Sequence, residues 1–241
     1  MEVVRDPWLG AILGKPAACV RLPDNVVSSA EIVRALCEAG QREAGFAFAK
    51  TPTSSIMQMR ALEEAGFRLV DTAMAFSRPR RAVLAQSCES IRFALPKDEL
   101  AVRTIARDSF VFSRFHLDPL IPQDLAGEIK EQWAGNYFLG SRGDAMVVCE
   151  SGGRVAGFLL LLFTREALVI DLIAVAPFGR RKGLARAMIE YAGQRLPAPP
   201  CIHVGTQAAN IPSMRLYEKA GFSVTGSHYV FHRHAEDRGC R

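Results

Sequence analysis

Residues 168–185 carry an apolar run (Leu168, Val169, Ile170, Leu172, Ile173, Val175), then Pro177 and Gly179, then Arg180, Arg181, Lys182, Gly183, Leu184 and Ala185. The pattern predicts a buried strand, a turn, and a helix whose first turn is basic and contains glycine. A helix start exposes unpaired backbone N–H groups and the positive end of the helix dipole. Cations at that end oppose the dipole, so Arg180, Arg181 and Lys182 are locally unfavourable unless a bound anion relieves the conflict. Gly183 and Ala185 keep bulky side chains away, so a pyrophosphate can approach the backbone. The bland alternative is a solvated basic turn. The stretch is not a P-loop, because GxxxxGK(S/T) is missing, and it is not a dinucleotide fingerprint, because no GxGxxG follows a strand.

The elements around this corner are mixed. Ser28 or Ser29 can cap a helix with Ile32, Val33, Leu36 and Cys37 on one face. A second helix runs over Met57, Met59, Leu62 and Ala65 and ends at Gly66, and residues 67–76 read as a strand. Residues 91–94 form a short strand, and Asp98 caps a helix over Leu100, Ile105 and Phe110. Residues 113–119 read as a polar, aromatic loop, followed by a helix over 122–138 interrupted at Gly135. Strands follow at 145–150, 154–163 and 167–175, the first two joined by the hairpin turn Ser151, Gly152, Gly153. A helix over 180–196, a strand over 201–206, a helix from Pro212 to Ala220 and a strand over 223–232 complete the pattern.

An internal repeat runs through it. At an offset of 155 residues, Met59 meets Met214, Arg60 meets Arg215, and Glu63 meets Glu218. At the same offset Ala65-Gly66-Phe67 meets Ala220-Gly221-Phe222, Phe76 meets Phe231, and Arg78 meets Arg233. Helix–Gly–strand corners converge on such residues, but two copies of one α/β unit explain the run better. Tyr217 is matched by Leu62. A boundary near residues 80–90 divides the chain into 1–85, 86–234 and a tail, 235–241.

The net charge of +5 over 241 residues is too weak to argue for nucleic acid. No stretch is long and apolar enough to span a membrane, and Asp6 and Pro7 break any leader pattern in the first ten residues. The six cysteines are scattered without CxxC pairs, as expected of reduced thiols in a cytoplasmic protein. No metal site is expected.

Arg180-x-x-Gly183-x-Ala185 after Val175-x-Pro177 resembles the acetyl-CoA signature, (Q/R)xxGx(G/A), of the GCN5-related N-acetyltransferases (GNAT). Asn210, Ser213, Leu216, Tyr217, Gly221 and Phe222 fit the family's Asn…Tyr-x-x-x-Gly-Phe segment. The resemblance covers roughly residues 91–234. It implies a mixed α/β (α+β) fold with a mostly antiparallel sheet, preceded by a smaller degenerate copy. It also implies acetyl-CoA as co-substrate. Its pantetheine would lie along Ile173, Ala174 and Val175 and against Asn210, with the phosphates at 180–185. Ser213 is grouped with these cofactor-binding residues. Tyr217 would protonate the departing thiolate. Asp171 and His203 are the candidate bases, with a water relay as an equal alternative. Arg181 stands where many family members carry glycine.

Trp8-Leu9-Gly10, residues 65–70, Ser113-Arg114-Phe115 and residues 205–210 further resemble the dTDP-fucosamine N-acetyltransferases of bacterial surface-polysaccharide synthesis. This implies a nucleotide-linked 4-amino-deoxy sugar as acceptor, with Arg114 and His116 meeting sugar hydroxyls or phosphates and Phe115 stacking on a ring. A surface loop with Phe115 in the core is the competing reading. Acyl transfer to a protein or small-molecule amine, and a non-catalytic coenzyme A-binding protein, remain alternatives. A homodimer is compatible with the sequence.

Overall fold

The computed structural model describes residues 1–25, 27–40, 45–80, 91–196 and 199–235. The strands are β1 (Glu2–Arg5), β2 (Ala17–Arg21), β3 (Phe46–Pro52), β4 (Arg68–Pro79), β5 (Ile91–Phe93), β6 (Ala145–Ser151), β7 (Arg154–Phe163), β8 (Ala167–Val175), β9 (Cys201–Gln207) and β10 (Ser223–His234). The helices are α1 (Pro7–Leu13), α2 (Ser29–Glu38), α3 (Ile56–Glu64), α4 (Glu99–Ser109), α5 (Arg114–Leu117), α6 (Gln123–Gly135), α7 (Leu184–Arg195) and α8 (Ile211–Lys219). All ten strands join one open sheet in the order β1-β2-β3-β10-β4-β9-β8-β7-β6-β5. Only β2–β3 and β8–β9 pair in parallel. The fold is thus mixed α/β with a mostly antiparallel sheet.

Strand alternation divides the core into layers. Along β6, Ala145, Val147 and Cys149 pack with Met188, Ile189 and Ala192 of α7, while Met146 and Val148 pack with Val102 and Ala106 of α4. Along β3, Ala47 and Ala49 face Ile32 and Leu36 of α2 and Leu62 of α3, while Phe46 faces Leu9 of α1 and Phe115 of α5. Each fully buried Leu, Ile or Phe contributes about 1.5–3 kcal/mol to this core. Ser28 and Glu31 close a reciprocal capping box on α2, with hydrogen bonds of 3.3 and 2.8 Å.

Every boundary of β3, α3 and β4 recurs 155 residues later in β9, α8 and β10. The registers match as well. Ala73↔Gln207 through Pro79↔Cys201 joins β4 to β9, and His228↔Pro52 through His234↔Phe46 joins β10 to β3 at the same offset. β4 and β10 pair with each other in the middle, Ser77 against Ser223 and Arg68 against His232. The two units therefore exchange their last strands about a pseudo-twofold axis.

Some sequence expectations shift. β1 and α1 were not foreseen. Residues 114–117, expected as loop, form α5, with the Ser113 hydroxyl accepting the His116 N–H. Asp98 flanks α4 but gives its carboxylate to Arg92 (2.7 and 2.9 Å) and the Leu95 N–H (2.8 Å). α7 starts at Leu184, leaving 180–183 as a turn. The expected boundary at 80–90 and the tail from 236 onward lie almost entirely outside the described residues. Among the described residues no helix is long and apolar enough to cross a membrane.

Candidate active site

β8 and β9 pair from Ala167↔Cys201 to Ile170↔Val204 and then part. The parting coincides with a bulge. Against β7, Leu160 faces Leu172 and Leu161 faces Ile170, so Asp171 is the extra residue. A bulge bends its strand and re-aims the extra side chain. Beyond it the strands enclose a cleft of about 290 Å³. Residues 170–175 of β8 and 204–207 of β9 form its sides; Asn210, Ser213, Leu216 and Tyr217 line it from the α8 segment. Arg180 and Ala185 stand at the α7 start, and residues 109–113 with Lys130 complete the lining.

The start of α7 fits an anion. Its first turn holds no acidic residue, and its N-cap, Gly183, makes no side-chain cap. Both Gly183 (φ 76°) and Arg181 (φ 65°) adopt left-handed backbone. Arg181 does so where glycine is free of the Cβ penalty. Left-handed residues in such a turn help to aim backbone N–H groups to one side, as anion nests do. Lys182 Nζ reaches Ser151 Oγ at 3.2 Å, and Arg180 Nε donates to the Val175 carbonyl at 3.2 Å. Of the expected cofactor residues, Ile173, Ala174, Val175, Arg180, Ala185, Asn210 and Ser213 line the cleft. Arg181, Lys182, Gly183 and Leu184 form the adjoining turn and first helical position.

Tyr217 is 2% exposed, with its ring 5.7 Å from Phe76 and 5.7 Å from Phe222. Burial pushes its hydroxyl well above the ordinary phenol range, so it stays protonated. Asn210 is the N-cap of α8; its side-chain oxygen accepts the Ser213 N–H at 3.2 Å, which leaves the amide N–H₂ for a ligand.

Of the two expected bases, Asp171 lines the cleft and His203 does not. Asp171 accepts two bonds from Arg142, both 2.7 Å, and one from Trp133 Nε1 at 2.8 Å, which together hold its side chain in place. His203 is a correction: it is exposed and lines no part of the cleft. It pairs with Val169 where the strands are still closed, and alternation turns it away from the buried Ile202 and Val204. Sequence reasoning missed Lys130. This α6 residue is 7% exposed and lines the cleft, with Nζ 4.4 Å from the Trp133 ring centre and 4.9 Å from that of Phe110. Burial foremost, and then Arg114, Arg142 and Lys50, push its pKa down to about 7, against the pull of Asp171.

Arg114 stacks over Phe48 (3.8 Å) and Phe115 (4.4 Å) and donates to His232 Nε2 at 3.2 Å. A guanidinium only donates, so His232 accepts there and its Nδ1–H donates to Asp118 Oδ2 at 2.6 Å. Burial first holds the His232 pKa near 4, in keeping with that neutral form. His234 Nε2 meets the same oxygen at 2.8 Å. Burial alone would raise the Asp118 carboxyl, but these imidazoles and the Leu120 N–H outweigh it and hold it well below the usual range. Asp118, His232 and His234 bring ligand-type atoms within 4.8 Å of one another, but here the shared oxygen is a hydrogen-bond acceptor. His116 is a second correction. Ser113 Oγ holds its Nδ1 at 2.6 Å, burial and then Lys130 lower its pKa to about 4, and it lines no cavity described here. Phe115 is buried at 1% and packs in the core beside Arg114.

Parted parallel strands, an uncapped basic helix start and a buried phenol at their junction are the layout of an acetyltransferase-type cleft. The chain belongs to the acetyltransferase (GNAT) family, whose model matches residues 102–222. It is 33% identical over 139 residues to spore coat polysaccharide biosynthesis protein SpsD of Bacillus subtilis (strain 168), a match covering 57% of this chain and 48% of that protein. The chain thus spans about half the length of this curated relative. Among solved structures it resembles a functionally unknown conserved protein from Staphylococcus epidermidis ATCC 12228 (TM-score 0.61, 12% identity, 91% of this chain and 84% of that one). It also resembles a GCN5-related N-acetyltransferase from Kribbella flavida (0.59, 13%, 90% and 81%). A third likeness is to a tandem GNAT protein from the clavulanic acid biosynthesis pathway (0.58, 13%, 92% and 76%). At these identities the likeness shows the fold.

Proposed function

We propose that this chain moves an acetyl group from acetyl-CoA to the amine of a nucleotide-linked (dTDP) 4-amino-deoxy sugar, by direct attack with both substrates bound. The observation that carries the reading is that a buried phenol and a buried lysine, Tyr217 and Lys130, line one cleft. The polysaccharide-biosynthesis relative supports a sugar acceptor. Acetyl-CoA supplies the activated thioester. The N–H groups at the α7 start, with Arg180, Arg181 and Lys182, hold its phosphates. The β8 edge at Ile173, Ala174 and Val175, with the Asn210 amide, holds the pantetheine. Lys130 takes a proton from the acceptor ammonium, the freed amine adds to the thioester carbonyl, and as the C–S bond breaks Tyr217 protonates the sulfur and is recharged by the second proton of the attacking nitrogen. This moves the role of base from Asp171 and His203 to Lys130. Arg114 serves the acceptor. With both substrates soluble, the reaction is assigned to the cytoplasm.

Residues 1–85 are read as a degenerate copy of the catalytic fold. The 155-residue offset of its elements supports this, as does Leu62 at the position matching Tyr217.

Thiol release from acetyl-CoA tests the acceptor, using dTDP-linked amino sugars, spermidine and a peptide amine. Release with an amino sugar alone is expected. Release only with spermidine or peptide keeps the reaction class and overturns the sugar.

A further inference from the structure

A second cavity, of about 460 Å³, shares a wall with the cleft. Asp171 and Lys130 line the cleft, and Trp133 and Arg142 line the second cavity. The four are joined by the Trp133 and Arg142 bonds to Asp171 and by Lys130 over the Trp133 ring. The volume falls in the usual range of small-molecule sites, about 300–1,000 Å³.

The lining has two chemical characters. Trp8 of α1, Phe48 of β3 and Trp133 of α6 supply aromatic walls. Lys50 of β3, Arg114 of α5 and Arg142 supply positive charge. Asp171 neutralises Arg142. Among the described residues Lys50 and Arg114 form no ion pair, and the partner of Arg114 is the His232 imidazole. The acidic residue of the lining, Asp6, spends its carboxylate on the Leu9 N–H at 2.9 Å, capping α1. Two neighbouring cations in a recess with aromatic walls repel each other; Asp71 of β4 offsets part of this, and an anion between them would relieve the rest. Flat apolar walls beside such cations suit a ligand that is both aromatic and anionic.

We propose that this cavity binds the nucleoside diphosphate end of the acceptor, with the base against Trp8, Phe48 and Trp133 and the phosphates on Lys50 and Arg114. The assignment rests on the acceptor reading above and adds where the nucleotide sits. Trp133 and Arg142 of this cavity bond Asp171 of the cleft, so in this proposal the sugar amine passes beside Trp133 toward Lys130 and the thioester site.

The two tryptophans of the chain both line this cavity, so intrinsic emission reports on it directly. Thymidine diphosphate, titrated into the full chain with coenzyme A at saturation, is expected to change the emission saturably. Lys50 is exposed within the cavity, so Lys50→Ala and Lys50→Glu leave the fold intact, which acetyl-CoA affinity checks. Both variants are expected to weaken thymidine diphosphate by about tenfold or more, the loss of one charge-assisted contact. No saturable response, equal affinity in the Lys50 variants, or displacement of the probe by coenzyme A would overturn the site. Turnover separates this from the acceptor reading. A nucleotide-linked amino sugar acetylated with the same KM by wild type and Lys50→Ala keeps the reading and removes the site. Thymidine diphosphate bound through Lys50 without turnover of any such sugar keeps the site and removes the reading.

Discussion

Lys130 and Tyr217 are both buried, and burial drives each toward its neutral form: the lysine to about 7, the phenol well above its usual range. Tyr217→Phe is expected to lower kcat by about a hundredfold or more while acetyl-CoA affinity stays level, because the hydroxyl acts only as the thiolate leaves. Titration calorimetry beside steady-state rates separates the two, and an unchanged kcat would remove Tyr217 from its role. Lys130→Met is expected to abolish the rise of kcat/KM through about pH 7. The same change carries a stability signature. Between about pH 7 and 10.5 the unfolded chain holds a proton on Lys130 that the folded chain lacks, so wild-type stability rises with pH across that window. Urea midpoints for Lys130→Met should lose that part of the rise. Lys130 was not legible in the sequence because it sits on the apolar face of α6 with Ala126, Ile129 and Ala134. A lone lysine there reads as a side chain reaching out to water. Tyr217 and the 180–185 turn were legible because their spacing is local.

At the scale of elements, the cleft depends on a bulge and a turn. Strand alternation cannot reveal a bulge, so the facing of Asp171 is not readable from the sequence, and the closed part of β9 denies His203 the role its residue type suggests. α5, four residues long, is too short for helical periodicity to register. The α7 turn, in contrast, announced itself through Gly183. With φ at 76° and no atom within 4 Å of a built Cβ, Gly183→Ala meets strain without a clash. It is expected to cost about 1–2 kcal/mol by thermal melting and to weaken acetyl-CoA as the turn rearranges. Full retention of both stability and affinity would mean that the left-handed turn does not shape the phosphate site.

At the scale of the molecule, the repeat was legible as an offset of 155, but the exchange of strands was not, since an offset says nothing about which edges meet. β4 lies between β9 and β10, so the two halves share one sheet. Scanning calorimetry is expected to show one cooperative transition, and two well-separated peaks would show that the halves unfold independently. The exchange also bears on how the chain is made. β3 and β4 do not pair with each other; the slot between them belongs to β10, which emerges about 150 residues after β4. At synthesis rates of about 5–20 residues per second the early strands wait roughly 8–30 seconds with open edges. Until translation reaches residues 223–234 the edges that β10 covers stay open, and a chain released before β10 is expected to aggregate through them.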